Sequence, residues 1–571
     1  MNLYKTVSNT ISEKLKTSIN LEIPRDSSFG DFSTNIAMIK AKELKKSPIE
    51  IAKEIVPLIS NIDFIENVNI AGAGFINIKI KDSFIWKSLQ EKINVKTNDP
   101  KIIDMDYGSY NVAKSMHIGH LRTSIVGDTF NRIARFLGHK TISYNHMGDW
   151  GRSMGLIIAW IKKIHPELPF FKNDFNQDTK FEYTVSINEL NTYYPNASKL
   201  AKEDENFMEE ARKITSELQK GHTGYTALYN SFIPVSLKEM ERIINKLDML
   251  PFDNNLGEKN AAEYIEPVEK ILRSKNLLEK SDGAEIINVK KDTDTAPMPP
   301  VMFYNSRGAV PYDATDIGAL YYRKITDNPD YIIYLTDARQ NLHFQQLFRV
   351  SDLMDLFPSE RLEHIGYGTI NGKDGKPFKT RDGNAAGLVD IMEIVNSAVK
   401  QRIKDSDKNL DSDTVDMISL AALKFNDLIH DLRSDYIFDV DALTSFEGKT
   451  GPYILYTAVR LNSILNKLEI NEEIDFRDNI ILSKEERDLS LCLLDFERII
   501  NIAFENRATD VLASYTYNLC QVINVFYHNC PIISENVEEE QKQIRIKIVQ
   551  KSLEILSNSI DLMGLKIPKE M

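Results

Sequence analysis

A repeating pattern of apolar positions predicts a strand–helix–strand unit early in the chain. The run KIIDMD at residues 101–106 is typical of a buried strand, and TISYN at Thr141–Asn145 is typical of another. Between them, apolar residues recur along one helical face, at Val126, Phe130, Ile133, Ala134 and Leu137. Gly138 follows as a C-terminal cap. Two strands joined through a helix predict a parallel sheet, with ligands at the carboxyl ends of its strands.

The pattern changes on either side of this unit. Residues 1 to about 95 mix helical periodicity with strand-like alternation, and the polar stretch at 94–101 predicts a linker. Residues 162–300 are mostly helical and charged and resemble an insertion, after which YIIYL at 331–335 resumes the sheet. From about Gly387 the chain is almost wholly helical, with an apolar seam through Ile546, Val549, Leu553 and Leu556.

These patterns predict a multidomain fold with three regions. Residues 1–98 form an α+β N-terminal domain. Residues 99–386 form an α/β, Rossmann-like catalytic domain with a parallel sheet and the mostly helical insertion at about 162–300. Residues 387–571 form an all-α bundle.

Charge and composition narrow the classes of partner. The 571 residues carry 70 basic and 83 acidic side chains, a net charge of −13, which argues against a protein that coats nucleic acid nonspecifically. A local basic groove is still compatible with that balance.

Cysteine content and the N-terminal sequence predict the cellular compartment in which the protein works. Cys492, Cys520 and Cys530 are too few for a disulfide framework and lie at no zinc-finger spacing, so they are interpreted as buried thiols. No stretch approaches the ~20 apolar residues that span a bilayer, and the N-terminus has no apolar signal segment. We therefore expect a soluble, cytoplasmic protein with no membrane partner.

The residues most informative about chemistry lie where the first strand passes into its helix. No dinucleotide-binding glycine pattern, P-loop, HExxH or CxxC motif is complete, and no protein metal site is predicted. In DMDYGSYNVAKSMHIGHLRTSIVGD, His117 and His120 lie on the same side of a first helical turn. A helix N-terminus attracts anions, and Gly119 lets a flat base or a phosphate approach the backbone. The motif alone also fits two histidines that merely satisfy a helix start.

The context of this motif resembles class I aminoacyl-tRNA synthetases, and within them the bacterial type of arginyl-tRNA synthetase. HIGH at His117–His120 is spelled as in that family. The further blocks that are similar to it are NVAKSMHIGHLRTSIVGD, NHMGDWG, DARQNLHFQQ, GKDGKPFKTRDG and FEGKTGPYILY. They run in order along essentially the whole chain.

The resemblance implies an arginine–tRNA ligase. L-Arginine and ATP, with Mg²⁺ bound through the nucleotide, would give arginyl-adenylate and pyrophosphate. The arginyl group would then pass to the 2′-hydroxyl of the terminal adenosine of tRNA(Arg). A monomer and no DNA partner are expected. His117, Gly119 and His120 would act on the triphosphate.

The mobile lysine loop of the class departs from its usual KMSKS form. The matching segment is GKPFKTR, where Lys376 and Lys379 would act as catalytic lysines, and the family suggests that Lys114, just before HIGH, takes over part of the role. A solvated basic loop is the alternative interpretation of Lys376 and Lys379.

A planar, permanent cation such as a guanidinium requires paired carboxylates. The resemblance places Asp106, Asp316 and Tyr312 around the guanidinium, Asn111 and Gln340 at the α-amino and carboxylate groups, and Ser109 on the same wall. Without the family, Asp316 is better explained as the N-cap of a helix running from Ile317.

For tRNA, the helical region resembles an anticodon-binding domain and the N-terminal region resembles a D-loop-binding domain. Aromatic faces hold unstacked RNA bases and cations contact phosphates, so Tyr453, Tyr456 and Arg460 are the candidates in the helical region. In the N-terminal region the resemblance implies Phe75 and Asn77 as candidates. The tyrosines could instead pack the bundle.

Three rival interpretations stay open from sequence. A synthetase for another amino acid would lack Asp106 or Asp316, and a non-catalytic tRNA-binding paralogue would have lost the HIGH histidines. A nucleotidyl transferase that does not use RNA would need no third, helical domain.

Overall fold

The computed structural model describes residues 2–24, 26–172, 174–176, 183–376, 378, 387–467, 480–532 and 537–571. The chain forms two compact units. The first comprises Met1–Lys96, Asn409–Phe425 and Ser445–Met571, and the second comprises Thr97–Lys408 and Asn426–Thr444. No helix in the described ranges is long and apolar enough to cross a membrane.

The N-terminal region has the predicted α+β composition. Its elements are α1 (Leu3–Leu15), β1 (Phe32–Thr34), α2 (Ile36–Leu44), α3 (Pro48–Ile59), β2 (Ile65–Ala71), β3 (Phe75–Ile80) and α4 (Asp82–Gln90). The strands form an antiparallel sheet in the order β1-β3-β2. The helical periodicity of this region is divided between α2 and α3, because Ser47 and Glu50 form a capping box that starts α3 at Pro48.

The second unit is built on a five-stranded parallel sheet. Its elements up to the insertion are β4 (Ile102–Asp106), α5 (Ile118–Phe136), β5 (Lys140–Asn145) and α6 (Arg152–Ile164). The insertion contains α7 (Ile187–Glu203), α8 (Glu205–Gln219), α9 (Thr223–Lys246), β6 (Asn254–Asn255), α10 (Glu258–Ala262), α11 (Ile265–Ser274), β7 (Leu278–Ser281) and β8 (Ala284–Ile287). After it come β9 (Val301–Tyr304), α12 (Tyr312–Thr326), β10 (Tyr331–Asp337), α13 (Asn341–Met354), β11 (Leu362–Tyr367), β12 (Ile370–Asn371) and α14 (Leu388–Asp405).

The order of the parallel strands is β11-β10-β4-β5-β6. From β4 the chain proceeds to β5 on one side, whereas β10 leads to β11 on the other. The connections therefore diverge between β4 and β10, which is where ligands of open α/β sheets bind. The predicted strand–helix–strand unit is confirmed as β4, α5 and β5.

The insertion is mostly helical, as expected, but it also supplies sheet. β6 is the edge strand beside β5, and β7 and β8 form an antiparallel sheet with β9. A two-residue strand such as Asn254–Asn255 is too short to leave a periodic signal, which is why the pattern did not reveal it.

An apolar cluster fixes α12 over the sheet. It includes Val268 from α11, Phe303 from β9, Ile317 and Leu320 from α12, and Ile332 from β10, all completely buried. Because α12 carries two of the residues predicted to bind arginine, this packing sets their height above the strand ends.

The remaining elements are α15 (Ser412–Leu428), β13 (Tyr436–Ile437), α16 (Val440–Leu443), α17 (Gly451–Leu465), α18 (Lys484–Leu494), α19 (Phe496–Glu505), α20 (Thr509–Asn529) and α21 (Glu539–Leu562). Helices α17 to α21 confirm the predicted bundle, in which Ile546, Val549 and Leu556 of the apolar seam are buried. The multidomain fold class is thus as expected.

A buried ion pair in the first unit generates a stability prediction. Arg487 donates to Asp31 (2.6 Å), to the Ile80 carbonyl oxygen (2.7 Å) and to Asp82. Burial raises the pKa of Asp31, and Arg487 opposes that rise. Arg487→Ala leaves two carboxylates without their cation, so we expect the free energy of unfolding to fall by about 3 kcal/mol in urea titrations.

The matched control is Lys270→Ala, which breaks an exposed pair with Glu266 (2.6 Å, side chains 72% and 76% exposed) and should leave the unfolding midpoint unchanged. Equal midpoints for the two variants would contradict a structural role for Arg487.

Candidate active site

The HIGH sequence forms the first turn of α5. His117 is the N-cap of the helix, its Nδ1 accepts a hydrogen bond from the Gly119 amide (3.1 Å), and Nδ1 of His120 accepts one from the His117 amide (3.0 Å). The two rings lie 4.0 Å apart between centroids. A Cβ on residue 119 would come within 2.9 Å of the His117 ring, so glycine is required there for the two rings to keep this arrangement.

These contacts determine which nitrogen of each ring carries the proton. A neutral imidazole whose Nδ1 accepts an amide hydrogen bond has its hydrogen on Nε2. Burial, His117 and Lys114 lower the pKa of His120 to about 3, and burial with Lys114 and Arg339 lowers the pKa of His117. Both rings are therefore neutral hydrogen-bond donors through Nε2 at physiological pH.

The loop between β4 and α5 is held in a strained conformation. Ser109 (φ 49°) and Ala113 (φ 59°) occupy the left-handed region, which non-glycine residues rarely adopt. The Val112 amide and the Tyr110 carbonyl oxygen bond to the backbone of Gly148, and the Ala113 amide donates to Ser236 Oγ (3.1 Å). The loop thus has a fixed path that aims Ser109 and Asn111 at the strand ends.

A cavity of about 230 Å³ opens at the carboxyl ends of β10, β4 and β5, beneath α12. It is lined by Asp106, Ser109, Asn111, His146, Gly148, Glu258, Tyr312, Asp316, Ala319, Arg323, Tyr334, Thr336, Gln340 and Phe344. All six residues predicted to bind arginine line this one cavity, although they come from three separate stretches of the chain. Their binding role stays a prediction.

Asp106, at the end of β4, is paired inside the protein. Its Oδ2 accepts a hydrogen bond from Arg323 of α12 (2.5 Å), and the two side chains are 5% and 1% exposed. The Arg323 guanidinium lies over the rings of Tyr144 (4.3 Å) and Tyr334 (5.2 Å). Oδ1 of Asp106 is buried and has no hydrogen-bond partner in the described part of the chain. It is an acceptor on the cavity wall, available to a cationic ligand.

Asp316 lies between two histidines. His343 Nε2 is 2.6 Å from Asp316 Oδ2, and His146 Nε2 is 2.9 Å from Asp316 Oδ1. Burial favours a neutral acid, but these two partners lower the pKa of Asp316 well below its ordinary value. The alternative of an N-cap at Asp316 is wrong, because α12 begins at Tyr312 with Pro311 as its cap, so Asp316 points from the second turn.

A second cavity of about 590 Å³ adjoins the first and shares Asn111, Gly148, Glu258 and Tyr312 with it. Its remaining lining is Gly151, Arg152, Ser153, Arg212, Thr215, Ser216, Gln219, Asn305, Ser306, Arg307, Ala309, Val310 and Pro311. Three arginines stand on its walls, of which Arg212 pairs with Glu205 and Glu209 and Arg307 pairs with Glu209.

The predicted lysines occupy different settings. The Lys114 ammonium lies 4.2 Å from the ring centroid of Tyr194 in α7. Lys376 is exposed in a turn closed by the Gly372 amide bonding to its carbonyl oxygen (2.7 Å). Lys379 lies outside the described residues.

The tRNA candidates belong to the first unit. Phe75 (36%) and Tyr456 (41%) are exposed, whereas Asn77 is buried and accepts a hydrogen bond from Ser33 (2.8 Å). The Tyr453 hydroxyl accepts from Asn524 (2.8 Å), and the Arg460 guanidinium lies 3.8 Å from the ring centroid of Tyr527. Phe75 and Tyr456 therefore present the more accessible ring surfaces.

Family models match nearly the whole chain. Residues 85–440 match the class I tRNA synthetase (R) catalytic domain, 454–571 the DALR anticodon-binding domain, and 1–80 the arginyl-tRNA synthetase N-terminal domain. The chain belongs to the arginyl-tRNA synthetase family.

Relatives and solved structures agree with this assignment to the arginyl-tRNA synthetases. The chain is 40% identical over 553 residues to the arginine–tRNA ligase of Alkaliphilus oremlandii, covering 95% of this chain and 94% of that relative. It is 38% identical over 562 residues to that of Agathobacter rectalis, with the same coverage. The arginyl-tRNA synthetase structure from Plasmodium falciparum has a TM-score of 0.80 at 26% identity, covering 100% of this chain and 98% of that one.

Sequence reasoning about this arginyl-tRNA synthetase missed three charged residues of the cavity region. Arg323 lies seven residues after Asp316, which places both on one face of α12, and that spacing was a usable signal. His146 and His343 stand inside the NHMGDWG and DARQNLHFQQ blocks. Their motifs were recognised, but nothing in a linear spacing showed that both would reach Asp316.

The two kinds of histidine in this synthetase should differ in charge. We expect the ring of His120, with a pKa of about 3, to stay neutral from pH 5 to 8. Burial alone would lower the pKa of His343, but hydrogen bonds with Asp313 and Asp316 raise it to about 10, so its ring should stay protonated over that range. The measurement is NMR of histidine labelled at ring carbon Cε1, with His120→Gln and His343→Gln assigning the signals. A midpoint between pH 5 and 8 for either ring would refute this assignment of charge.

Proposed function

We propose that this chain is an arginine–tRNA ligase that uses the 230 Å³ cavity for L-arginine and the start of α5 for ATP. The observation that carries the proposal is the cavity, in which the buried, unpaired Oδ1 of Asp106 and the ionised Asp316 face a space bordered by amide side chains. Two carboxylates suit a planar cation that must be neutralised from more than one side.

In this proposal the arginine side chain points inward. Its guanidinium donates to Asp106 Oδ1 and to Asp316, with the Tyr312 ring beside it. Asn111 and Gln340 hold the α-amino and carboxylate groups, and Ser109 lines the same wall. The α-carboxylate then faces the start of α5, since Ser109 and Asn111 belong to the loop that leads into that helix.

The first step is in-line attack of the arginine carboxylate on the α-phosphorus of ATP, which releases pyrophosphate and forms arginyl-adenylate. The carboxylate is already a competent nucleophile, so the protein contributes position and charge stabilisation. The Nε2–H groups of His117 and His120 donate to phosphate oxygens, and the amide groups at the helix start attract the anion. Gly119 lets the nucleotide approach the backbone. Mg²⁺ enters bound to the nucleotide.

Three lysines complete the anion site in this proposal. Lys114 lies next to HIGH, and Lys376 and Lys379 belong to the segment that replaces KMSKS. Lys114 has to leave the Tyr194 ring to reach a phosphate, so a change in α7 would alter its availability.

The second step transfers the arginyl group from the adenylate to the 2′-hydroxyl of the terminal adenosine of tRNA(Arg) and releases AMP. The adjoining cavity with its three arginines gives the 3′ end a route to the arginine cavity, with which it shares Asn111 and Tyr312.

We further propose that residues 387–571 bind the anticodon region through Tyr453, Tyr456 and Arg460, and that residues 1–98 bind the D-loop through Phe75 and Asn77. Residues 99–386 carry the catalytic chemistry. The enzyme is proposed to act as a cytoplasmic monomer.

The test is ATP–pyrophosphate exchange in the presence of tRNA with each amino acid in turn, followed by charging of a tRNA pool. Arginine alone should support both reactions. Asp316→Asn removes one buried carboxylate charge, so we expect kcat/KM for arginine to fall by about 100-fold or more.

Glu279→Gln, on the exposed strand β7, is the control and should keep full activity. Equal exchange with lysine and arginine, or an unchanged kcat/KM in Asp316→Asn, would refute the assignment of this cavity to arginine.

A further inference from the structure

Four titratable groups stand in a row beside the arginine cavity: His146, Asp316, His343 and Asp313. The first two line the cavity, and the last two lie behind Asp316. His343 Nδ1 lies 3.1 Å from Asp313 Oδ1, and its Nε2 lies 2.6 Å from Asp316 Oδ2. A neutral imidazole has one N–H, so a ring between two carboxylates needs both nitrogens protonated. Geometry alone therefore makes His343 an imidazolium.

His146 stands at the other end of the row and lines the cavity itself. Its Nε2 is 2.9 Å from Asp316 Oδ1, which is an ion-pair distance, and both of its ring nitrogens are buried without an aligned hydrogen-bond partner in the described residues. The charged groups that face it are Asp316 and Arg323 from α12, Asp106 from β4, Glu258 from α10, and Asp149 from the loop after β5. His146 therefore occupies the same cavity as the incoming guanidinium and pairs with the same carboxylate, that of Asp316.

We propose that His146 is a positioning residue that carries a proton in the free enzyme, holds Asp316 in place, and releases that proton to solvent when arginine binds. The inference rests on the proposed binding of arginine in this cavity. No covalent bond changes. The substrate guanidinium takes the place of the imidazolium at Asp316 Oδ1.

The balance of charge supports this exchange. In the free enzyme Asp106 pairs with Arg323, Asp316 with His146, and Asp313 with His343, so these three pairs are neutral. Burial raises the pKa values of the neighbouring Glu258 and Asp149, which favours their neutral forms. A guanidinium cannot lose its proton and adds one positive charge to a water-poor space. Arg323 cannot deprotonate either, and His343 is held by two carboxylates. Of these three cations, His146 is therefore the one that can restore neutrality.

The exchange predicts a dependence of affinity on pH. Burial would lower the pKa of His146, but Asp316 and Asp106 raise it to about 9, so the free enzyme is protonated there at neutral pH. Binding then competes with protonation. The affinity for arginine should rise with pH, by up to about tenfold per unit, and should level off near pH 9.

Glu258 is the competing source of a proton, because burial raises its pKa to about 7 and a nearby cation would lower it. The experiment therefore compares variants of both residues. Isothermal titration of L-arginine at pH 7.5 in buffers of different ionisation enthalpy counts the protons released per arginine bound.

The wild-type enzyme should release close to one proton. His146→Asn, which keeps a hydrogen-bond donor for Asp316 but cannot titrate, should release close to none. Glu258→Gln should release as many as wild type, and so should His528→Asn, a change on the exposed face of α20.

Proton release that persists in His146→Asn, or that disappears in Glu258→Gln alone, would overturn the proposal.

Should His146→Asn fail to fold or to bind arginine, NMR of Cε1-labelled histidine in the wild type decides whether His146 loses its proton. The His146 signal is the one that shifts in Asp316→Asn and persists in His343→Gln. Arginine should move it from the protonated to the neutral position, and an unmoved signal would overturn the inference. Absence of arginine binding to the wild type would instead count against the proposed function.

Discussion

The buried ion pair between Asp106 and Arg323 is the interaction on which the geometry of the site depends. Asp106 ends a strand in the middle of a parallel sheet, where water cannot solvate its charge, and a buried carboxylate without a partner would neutralise itself. Arg323 offsets that cost by reaching from α12 to Oδ2. This contact leaves Oδ1 for a ligand and ties α12, which the apolar cluster packs on the sheet, to the end of β4. The position of Asp316, two turns earlier on α12, follows from it.

The same site holds two histidines neutral and two protonated, and the hydrogen-bond partners of each ring decide which. At the start of α5, backbone amides donate to Nδ1 of His117 and His120, so these rings stay neutral and turn Nε2–H outward. At Asp316, carboxylates face the ring nitrogens, so His343 and His146 carry charge. Neutral donors suit a phosphate whose charge grows during reaction, whereas charged rings hold carboxylates in place until a cationic substrate arrives. The net charge of −13 describes neither environment.

Much of the fold was predictable because the relevant signals are local. Periodicity along Val126–Leu137 and the apolar run at 101–106 identified α5 and β4, and family blocks led to Asp106, Asp316 and Gln340, which the structure brings to one cavity. What was missed depends on tertiary contacts. β6 has only two residues, so it leaves no periodic pattern. The role of Arg323 depends on its contact with Asp106, and the charge of His146 depends on its distance from Asp316; sequence spacing gives neither. The start of α12 was misplaced because Pro311, not Asp316, precedes its first turn.

The proposed role of the cavity is to accept a guanidinium at one free oxygen of Asp106 and at Asp316. The most direct measurement is a crystal structure of the enzyme with L-arginine bound. The predicted result is a guanidinium within hydrogen-bond distance of Asp106 Oδ1 and of Asp316, with Arg323 still paired to Asp106 Oδ2. A guanidinium bound away from both carboxylates, or an Arg323 displaced from Asp106 by the ligand, would contradict it.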